Sequence, residues 1–456
     1  MEEALSIEGI ERKWRVTWSD LREELKKVTY LAAPMLVGSV SRFLVPVASV
    51  MIAGHLGKLT LSGIAIANSF TTITGFSLLV GMAGALESLC GQAYGAEQYQ
   101  KLGIYTYCSV ISLSLVCLAV SLLWIFEEKL LILIGQDPSV SKIAGKYSIL
   151  LIPALLAYSI VQSLIRYLNT QGLTFATLLS SFAVLCFHIP VCWALVYKLE
   201  LGITGAALSV GLSHWLNVIM LLTYIKYSSA CERTRVTFSL EVLQSIREFF
   251  RFGVPAAVMA CLGSLSVEMI ILLSGFLPNS KLETSVLSIC LITTSLHYCI
   301  SYGVATAAST RVSNESELGM HGRLKQLSDK EVIKHVARLS PLVSLTIIMD
   351  SLRATLSVDE VFLSSQGIAR GSGWQCLGAY VNLVAYYMVG LPLAVVLCFV
   401  LHLRGVGLWI GILAGSTTQA LLFALKISFT NWRKQAIKAR ERIFKRTRAA
   451  ESRGST

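Results

Sequence analysis

Apolar runs of about twenty residues, nearly free of charge, recur along almost the whole chain. Six lie near residues 31–53, 62–86, 104–126, 148–168, 175–197 and 203–225. Five more lie near 252–277, 285–308, 339–357, 376–400 and 407–429, and the run at 339–357 is the poorest. A helix of about 20 apolar residues crosses the hydrocarbon core of a bilayer. No water is present there to satisfy the backbone, so only helices and closed barrels can span it. Period-two alternation is absent, which sets the expected fold class as all-α, a polytopic membrane helical bundle of about 11 spans. Composition agrees: 54% of the 456 residues are apolar and only 14% are charged, where a soluble domain has about 25% charged residues. Twelve spans would use about 240 residues, close to the whole apolar inventory. A soluble enzyme and a single-span receptor with a large polar domain are excluded on these grounds.

Lys and Arg set the sidedness, because they accumulate in cytoplasmic loops. They crowd into residues 1–29 (Arg12, Lys13, Arg15, Arg22, Lys26, Lys27), into 226–251 (Lys226, Arg233, Arg235, Arg247, Arg251) and into the segment after Asn431. The expected organisation is a cytoplasmic N-terminal segment 1–29, a helical lobe 30–226, a basic cytoplasmic linker 227–251, a second lobe 252–430 and a basic cytoplasmic tail 431–456. The tail reads as a positive-inside anchor able to touch anionic lipid rather than as a nucleic-acid site. The charged N-terminus has no apolar stretch, unlike a cleavable signal peptide. Most of the eleven cysteines, Cys108, Cys117, Cys186, Cys192, Cys290 and Cys398 among them, lie in apolar runs without a disulfide or metal pattern.

The two lobes repeat each other. Pro34 and Pro255 each open a run, and a short lysine-bearing turn follows each, at 54–67 and 275–290. Pro190 matches Pro392, and Gly205 and Gly407 each fall fifteen residues after their proline. Segment 151–172 matches 339–357. Transporters built from such repeats place their sites near the midplane between the halves. The repeat predicts one more helix than the second half supplies, because the polar stretch SNESELGMHGRLKQLS at 313–328 cannot span. Six spans in one lobe and five in the other would leave the basic tail on the opposite side from the N-terminus.

Several strings together resemble the multidrug and toxic compound extrusion (MATE) family, in its plant DETOXIFICATION branch. They are ALESLCGQAYGA (85–96), LSGFLPNSKLETSVLSIC (273–290), AASTRVSNE (307–315), GIARGSGWQ (367–375) and LGAYVNLVAYYMVGLP (377–392). The resemblance covers roughly 30–312 and 335–435. It implies twelve helices in two bundles and outward export of organic compounds in exchange for protons or sodium, with protons usual in plants. Departures are the absent third helix of the second half, extra residues between Leu356 and Gly367, and the seventh helix. There the family carries two acids five residues apart. Here Glu268 matches the second acid, and Gly263 stands where the first would be.

Ionisable groups inside membrane helices are costly and mark function by default. Glu268 lies deep in a span with no charge nearby in sequence. A carboxyl there can load and release a proton near neutral pH, or serve as a neutral packing group. Asp350 stands where the resemblance places a second ion-coupling acid, or it ends a helix by pairing with Arg353 at i+3. Arg42 either faces a substrate cavity or snorkels to an interface. Glu87 and Arg166 read as structural groups near helix ends. Asn68, Gln162, Asn169, Gln171, His188, Asn217 and Asn382 line a cavity or bridge helices. Tyr386 and Tyr387 stack on aromatic cargo or sit in the bundle. His188 and His402 show no metal spacing, and no phosphate-binding loop is present. The fuel expected is therefore an ion gradient, which the resemblance implies is a proton gradient, with no cofactor.

The sequence thus predicts a monomeric, proton-coupled antiporter in the vacuolar or plasma membrane, working by alternating access on small organic substrates. Its partners are those substrates and the lipid bilayer, with no nucleic acid. The competing expectation is an inactive or partly folded splice or gene-model variant. A membrane-embedded enzyme would need clustered nucleophile and base at one depth, a pattern the chain lacks.

Overall fold

The computed structural model describes residues 18–237, 239–274 and 374–429. Nine helices among the described residues are long and apolar enough to cross a membrane. The spans read at 285–308 and 339–357, the polar stretch 313–328, Asp350 and the tail 431–456 lie outside the described residues.

In the first half, α1 (Trp18–Gly54) leads into a second span. That span is assembled from α2 (Lys58–Thr71), a π-helical stretch Thr72–Phe76, α3 (Ser77–Ala83) and α4 (Ala85–Gly95). Gly84 is the joint between α3 and α4, and its N–H meets the Val80 and Gly81 carbonyls. The third span, α5 (Tyr99–Ile125), is followed by the short α6 (Glu127–Ile134). Gly135, with φ +98°, ends α6, because only glycine takes that conformation without cost. Asp137 then caps α7 (Pro138–Thr170): its carboxylate accepts from the Ser139 and Val140 N–H groups, and Pro138 opens the first turn. The fifth and sixth spans are α8 (Thr174–Trp193), running on through a π-helical stretch Ala194–Lys198, and α9 (Gly202–Tyr227). α7 is the centre of this half and packs on α2, α5 and α9, while α1 packs on α8. The core gathers round buried Trp124, Leu79, Leu86, Leu151 and Leu155.

The second half contributes α10 (Leu240–Ser274). A further span follows, made of α11 (Gln375–Asn382), a π-helical stretch Leu383–Gly390, α12 (Leu391–Val395) and a second π-helical stretch Val396–Val400. The last described helix is α13 (Arg404–Ser428). Among its described residues, Ile270, Ala394, Cys398, Leu408 and Ile412 form one buried cluster, and Met259, Trp374, Val381 and Phe423 form another.

The repeat read around Pro190 and Pro392 holds in the backbone. The π-helical stretches Ala194–Lys198 and Val396–Val400 begin four residues after their prolines. Left-handed backbone follows at Glu200 (φ 53°) and Gly202 (φ 53°), and in register at His402 (φ 56°) and Arg404 (φ 51°). The Leu201 N–H reaches the Leu195 carbonyl at 3.1 Å, and the Leu403 N–H reaches Leu397 at 3.0 Å. The two glycines answer one need. A Cβ on Gly205 would meet the Leu195 carbonyl at 2.7 Å, and one on Gly407 would meet the Cys398 nitrogen at 2.7 Å.

Contacts also sort the helix ends. Gln375 donates to Ser88 of α4, Tyr105 to Glu248, and Thr234 to Gln171. Lys426 lies over the Trp374 ring at 5.5 Å. All of these stand at the end of the bundle that carries the basic linker, called here the basic end. Tyr197 donates to the Ile52 carbonyl at the opposite end. α13 therefore finishes at the basic end, beside the linker. An α13 that ends at the basic end removes the mismatch that six plus five spans implied. Ser274 and Trp374 lie at opposite ends.

Candidate functional site at the seam between the halves

The candidate ion-coupling acid sits where the halves meet. α10 runs antiparallel to the second span. Near the basic end, α3 and α10 touch through small residues: a Cβ on Gly81 would lie 2.7 Å from the Ala257 Cα and 2.9 Å from the Ala260 Cβ. Further along, the Ser77 and Ser264 hydroxyls are 3.1 Å apart. One turn beyond, Glu268 is half-buried, with the Ser69 hydroxyl of α2 beside it. The carboxyl of one half thus faces a neutral donor of the other. Gly263 is buried, and its carbonyl accepts from the Ser266 hydroxyl.

The second half holds a connected polar network deep among apolar residues. Asn382 is fully buried and donates to the Met259 carbonyl of α10 at 2.7 Å. Its own oxygen accepts from Gln419 Nε2 at 2.7 Å. Tyr386, also buried, donates to Gln419 Oε1 at 3.0 Å and lies 3.2 Å from the Ser416 hydroxyl. Tyr387 donates to the Leu262 carbonyl, next to Gly263. These bonds link α10, the span carrying α11, and α13 in the half that bears Glu268. Buried polar networks of this kind specify one arrangement when every member is satisfied. Sequence reading found Asn382 and the two tyrosines but passed over Gln419 and Ser416. A glutamine in the middle of the apolar run 407–429 was the available signal.

The first half has three separate polar knots. Arg42 is half-buried and donates to Ser181 of α8 and Ser39 of its own helix, both at 2.9 Å, so its guanidinium is held sideways between two helices. His188 is fully buried, with Ser49 of α1 on Nε2 and Ser213 of α9 on Nδ1, each at 2.8 Å. Arg166 is buried beside Glu87, with Nε 3.5 Å from Oε1. It also donates to Gln162 Oε1 at 2.6 Å and to the Val80 carbonyl at 3.0 Å. Glu87 and Arg166 thereby brace the α3–α4 joint against α7.

Among the cavity candidates, Gln162 is buried and occupied by Arg166, and Asn169 is buried and accepts from Thr177 at 3.3 Å. Gln171 bridges the Tyr167 carbonyl and Thr234. Asn68 is half-buried on α2, and Asn217 is buried on α9. Arg42 and Gly263 each lie eight residues after the matching prolines, Pro34 and Pro255. One repeat position therefore carries a cation in the first half and no side chain in the second.

A family model described as MatE matches residues 34–194. Over about 95% of each chain, this protein is 48% identical to Protein DETOXIFICATION 3 and 46% identical to Protein DETOXIFICATION 12, both of Arabidopsis thaliana. Its fold is similar to that of the eukaryotic MATE transporter AtDTX14. The TM-score is 0.84 at 43% identity, over 93% of this chain and 100% of that one. A MATE transporter of Vibrio cholerae, VcmN, shares the fold at a TM-score of 0.70 and 16% identity, over 91% of this chain and 99% of that one.

Proposed function

The chain belongs to the multidrug and toxic compound extrusion (MATE) family of multi-pass membrane transporters, and from that premise we propose that it is a proton-coupled antiporter. It exports small organic compounds, xenobiotics or secondary metabolites, across the vacuolar or plasma membrane as a monomer. The observation that carries this reading is the placement of Glu268 in the seam, opposite Ser69 of the other half.

The mechanism follows from what a proton does at that atom. An ionised carboxylate near the bilayer centre costs about 3 kcal/mol on insertion scales. Ionised Glu268 therefore favours an arrangement that leaves it wet or keeps the Ser69 hydroxyl donating to it. A proton on the carboxyl removes the charge, weakens the hold on Ser69 and lets the halves separate or repack around α10. The ion shifts the equilibrium only by its different affinity for the two arrangements, and a seam residue whose neighbours change has that difference built in. The polar network of Asn382, Gln419 and Tyr386 keeps α10 fixed to its own half, so movement at the seam is passed on as rigid-body rocking. Arg42, at the matching repeat position of the first half, keeps a positive charge between α1 and α8 and biases which cargo that half accepts.

The test is pH-gradient-driven uptake of a cationic dye into proteoliposomes holding the purified chain and Glu268→Gln. The wild type takes up dye in proportion to the gradient, and the variant, neutral at every pH, loses gradient dependence. Equal gradient-driven uptake by both would remove Glu268 from coupling. No uptake by folded, inserted wild-type protein would favour a chain that does not transport.

A further inference from the structure

The first five turns of α10 carry an outward stripe that changes character along its length. Leu243, Arg247, Arg251, Val254 and Val258 recur at helical spacing and are all exposed. Val242, Phe249, Ala256 and Ala257, on the other side of the helix, are buried in the bundle. From Val254 onward the stripe is apolar, with Leu265 and Met269 also exposed, as suits contact with lipid tails. Directly above that apolar stretch come two arginines, one turn apart.

The apolar run fixes their depth. It begins at Phe252, directly after Arg251, and continues for at least the roughly 20 residues that cross the hydrocarbon core. Arg251 therefore stands at the hydrocarbon boundary and Arg247 one turn further out, in the headgroup layer. Arg247 follows the level of the Tyr105–Glu248 pair, which turns the neighbouring acid inward and away from the stripe. Neither guanidinium makes an ion pair or hydrogen bond among the described residues. Arg235 of the adjacent linker differs, because it is spent on the Lys226 and Ser228 carbonyls at 2.6 and 2.8 Å.

We propose that Arg247 and Arg251 form a binding site for the phosphate headgroup of an anionic lipid in the leaflet at the basic end. The chemistry is specific. Side chains at i and i+4 stand on one face about 5–6 Å apart at Cβ, so both planar forks can close on one phosphate, a geometry that suits arginine. The exposed Val254 and Val258 below receive the acyl chains. The distribution of Lys and Arg makes this leaflet cytoplasmic, where anionic lipids concentrate. The site lies on the helix that joins the halves and also carries Glu268. A bound lipid would therefore hold the cytoplasmic end of α10 in the membrane plane.

The experiment uses the full-length chain in nanodiscs of phosphatidylcholine alone or with about a third phosphatidylglycerol. Lipid retained after stepwise delipidation is counted by native mass spectrometry. Arg247→Gln/Arg251→Gln is compared with Arg233→Gln, an exposed linker arginine off the stripe. The wild type and Arg233→Gln should retain phosphatidylglycerol preferentially, and each stripe arginine removed should cut the preference about five-fold. The double variant should unfold at the wild-type temperature in pure phosphatidylcholine, which separates lipid binding from folding. An unchanged preference in the double variant, or an equal loss in Arg233→Gln, would overturn the site and leave only general attraction to a charged surface.

Discussion

Glu127 opens α6, just past the third span and at the end opposite the basic linker, and it is fully buried. Neither carboxylate oxygen has a hydrogen bond in good geometry, and the Ser148 hydroxyl of α7 beside it is likewise unmatched. Burial pushes its carboxyl from 4.5 up to about 7, with Ser148 opposing the shift. A raised acid is neutral in the fold where the unfolded chain is already charged. Its contribution to stability is thus present in full below about 4.5 and is lost as pH rises through about 7. The thermal midpoint of the detergent-purified chain should fall between pH 5 and pH 8, and Glu127→Gln should flatten that fall. A variant with the wild-type slope would place the titration elsewhere. Sequence reading missed this residue because Glu127 is one of two adjacent acids at a span end, where either looks solvated. Only the packing of α6 on α7 separates the buried Glu127 from the half-buried Glu128. By contrast, Glu268 was visible from sequence, because an acid amid apolar residues has no bland explanation of equal weight.

The paired turns after Pro190 and Pro392 show how much an element owes to single atoms. In both, a π-helical stretch ends in left-handed backbone, and a glycine then lets the next helix touch the turn. Gly205→Val or Gly407→Val would drive a side chain into backbone at 2.7 Å, so each should cost about 1–3 kcal/mol or more. Gly202→Ala has space around it but sits at φ 53°, and should cost only about 1 kcal/mol. Chemical unfolding of the three variants should rank them in that order. An equal loss at Gly202 would mean that backbone conformation, not close approach, is the constraint. The glycine spacing was legible in sequence because a repeat preserves it. The π-helical stretches were not, because runs apolar on nearly every face carry no helical phase for an extra residue to shift.

Among the described residues, hydrogen bonds between the halves run from Ser88–Gln375 and Tyr105–Glu248 at the basic end to Ser77–Ser264 farther in, one turn before Glu268. Ser88 and Gln375 are both buried in that seam, 2.7 Å apart. Ser88 also follows Glu87, which is braced by Arg166. If alternating access opens this end, the two residues must part on each cycle. Ser88→Cys/Gln375→Cys, in a background stripped of other thiols, should cross-link with a short bifunctional thiol reagent and stop dye uptake. A reducible linker should restore uptake on reduction. Cross-linked protein that still transports would show that the halves do not separate at the basic end.

Much of this was written in the chain. Apolar length set the helices. The proline and glycine spacing set the repeat, since each depends on a few residues and their distance along the backbone. The seam was not, because it depends on which faces of distant helices meet. Nothing local in LCGQAYG or GSGWQ says that Ser88 finds Gln375. Nothing near Asn382 says that its partners are the Met259 carbonyl and Gln419. Nor does the run around Arg42 reveal that Ser181 holds it across to α8. In lipid, a polar side chain inside a helix must find its partner on another helix. The helices were therefore decided by the sequence alone, and the partners by the tertiary packing that brought them within 3 Å.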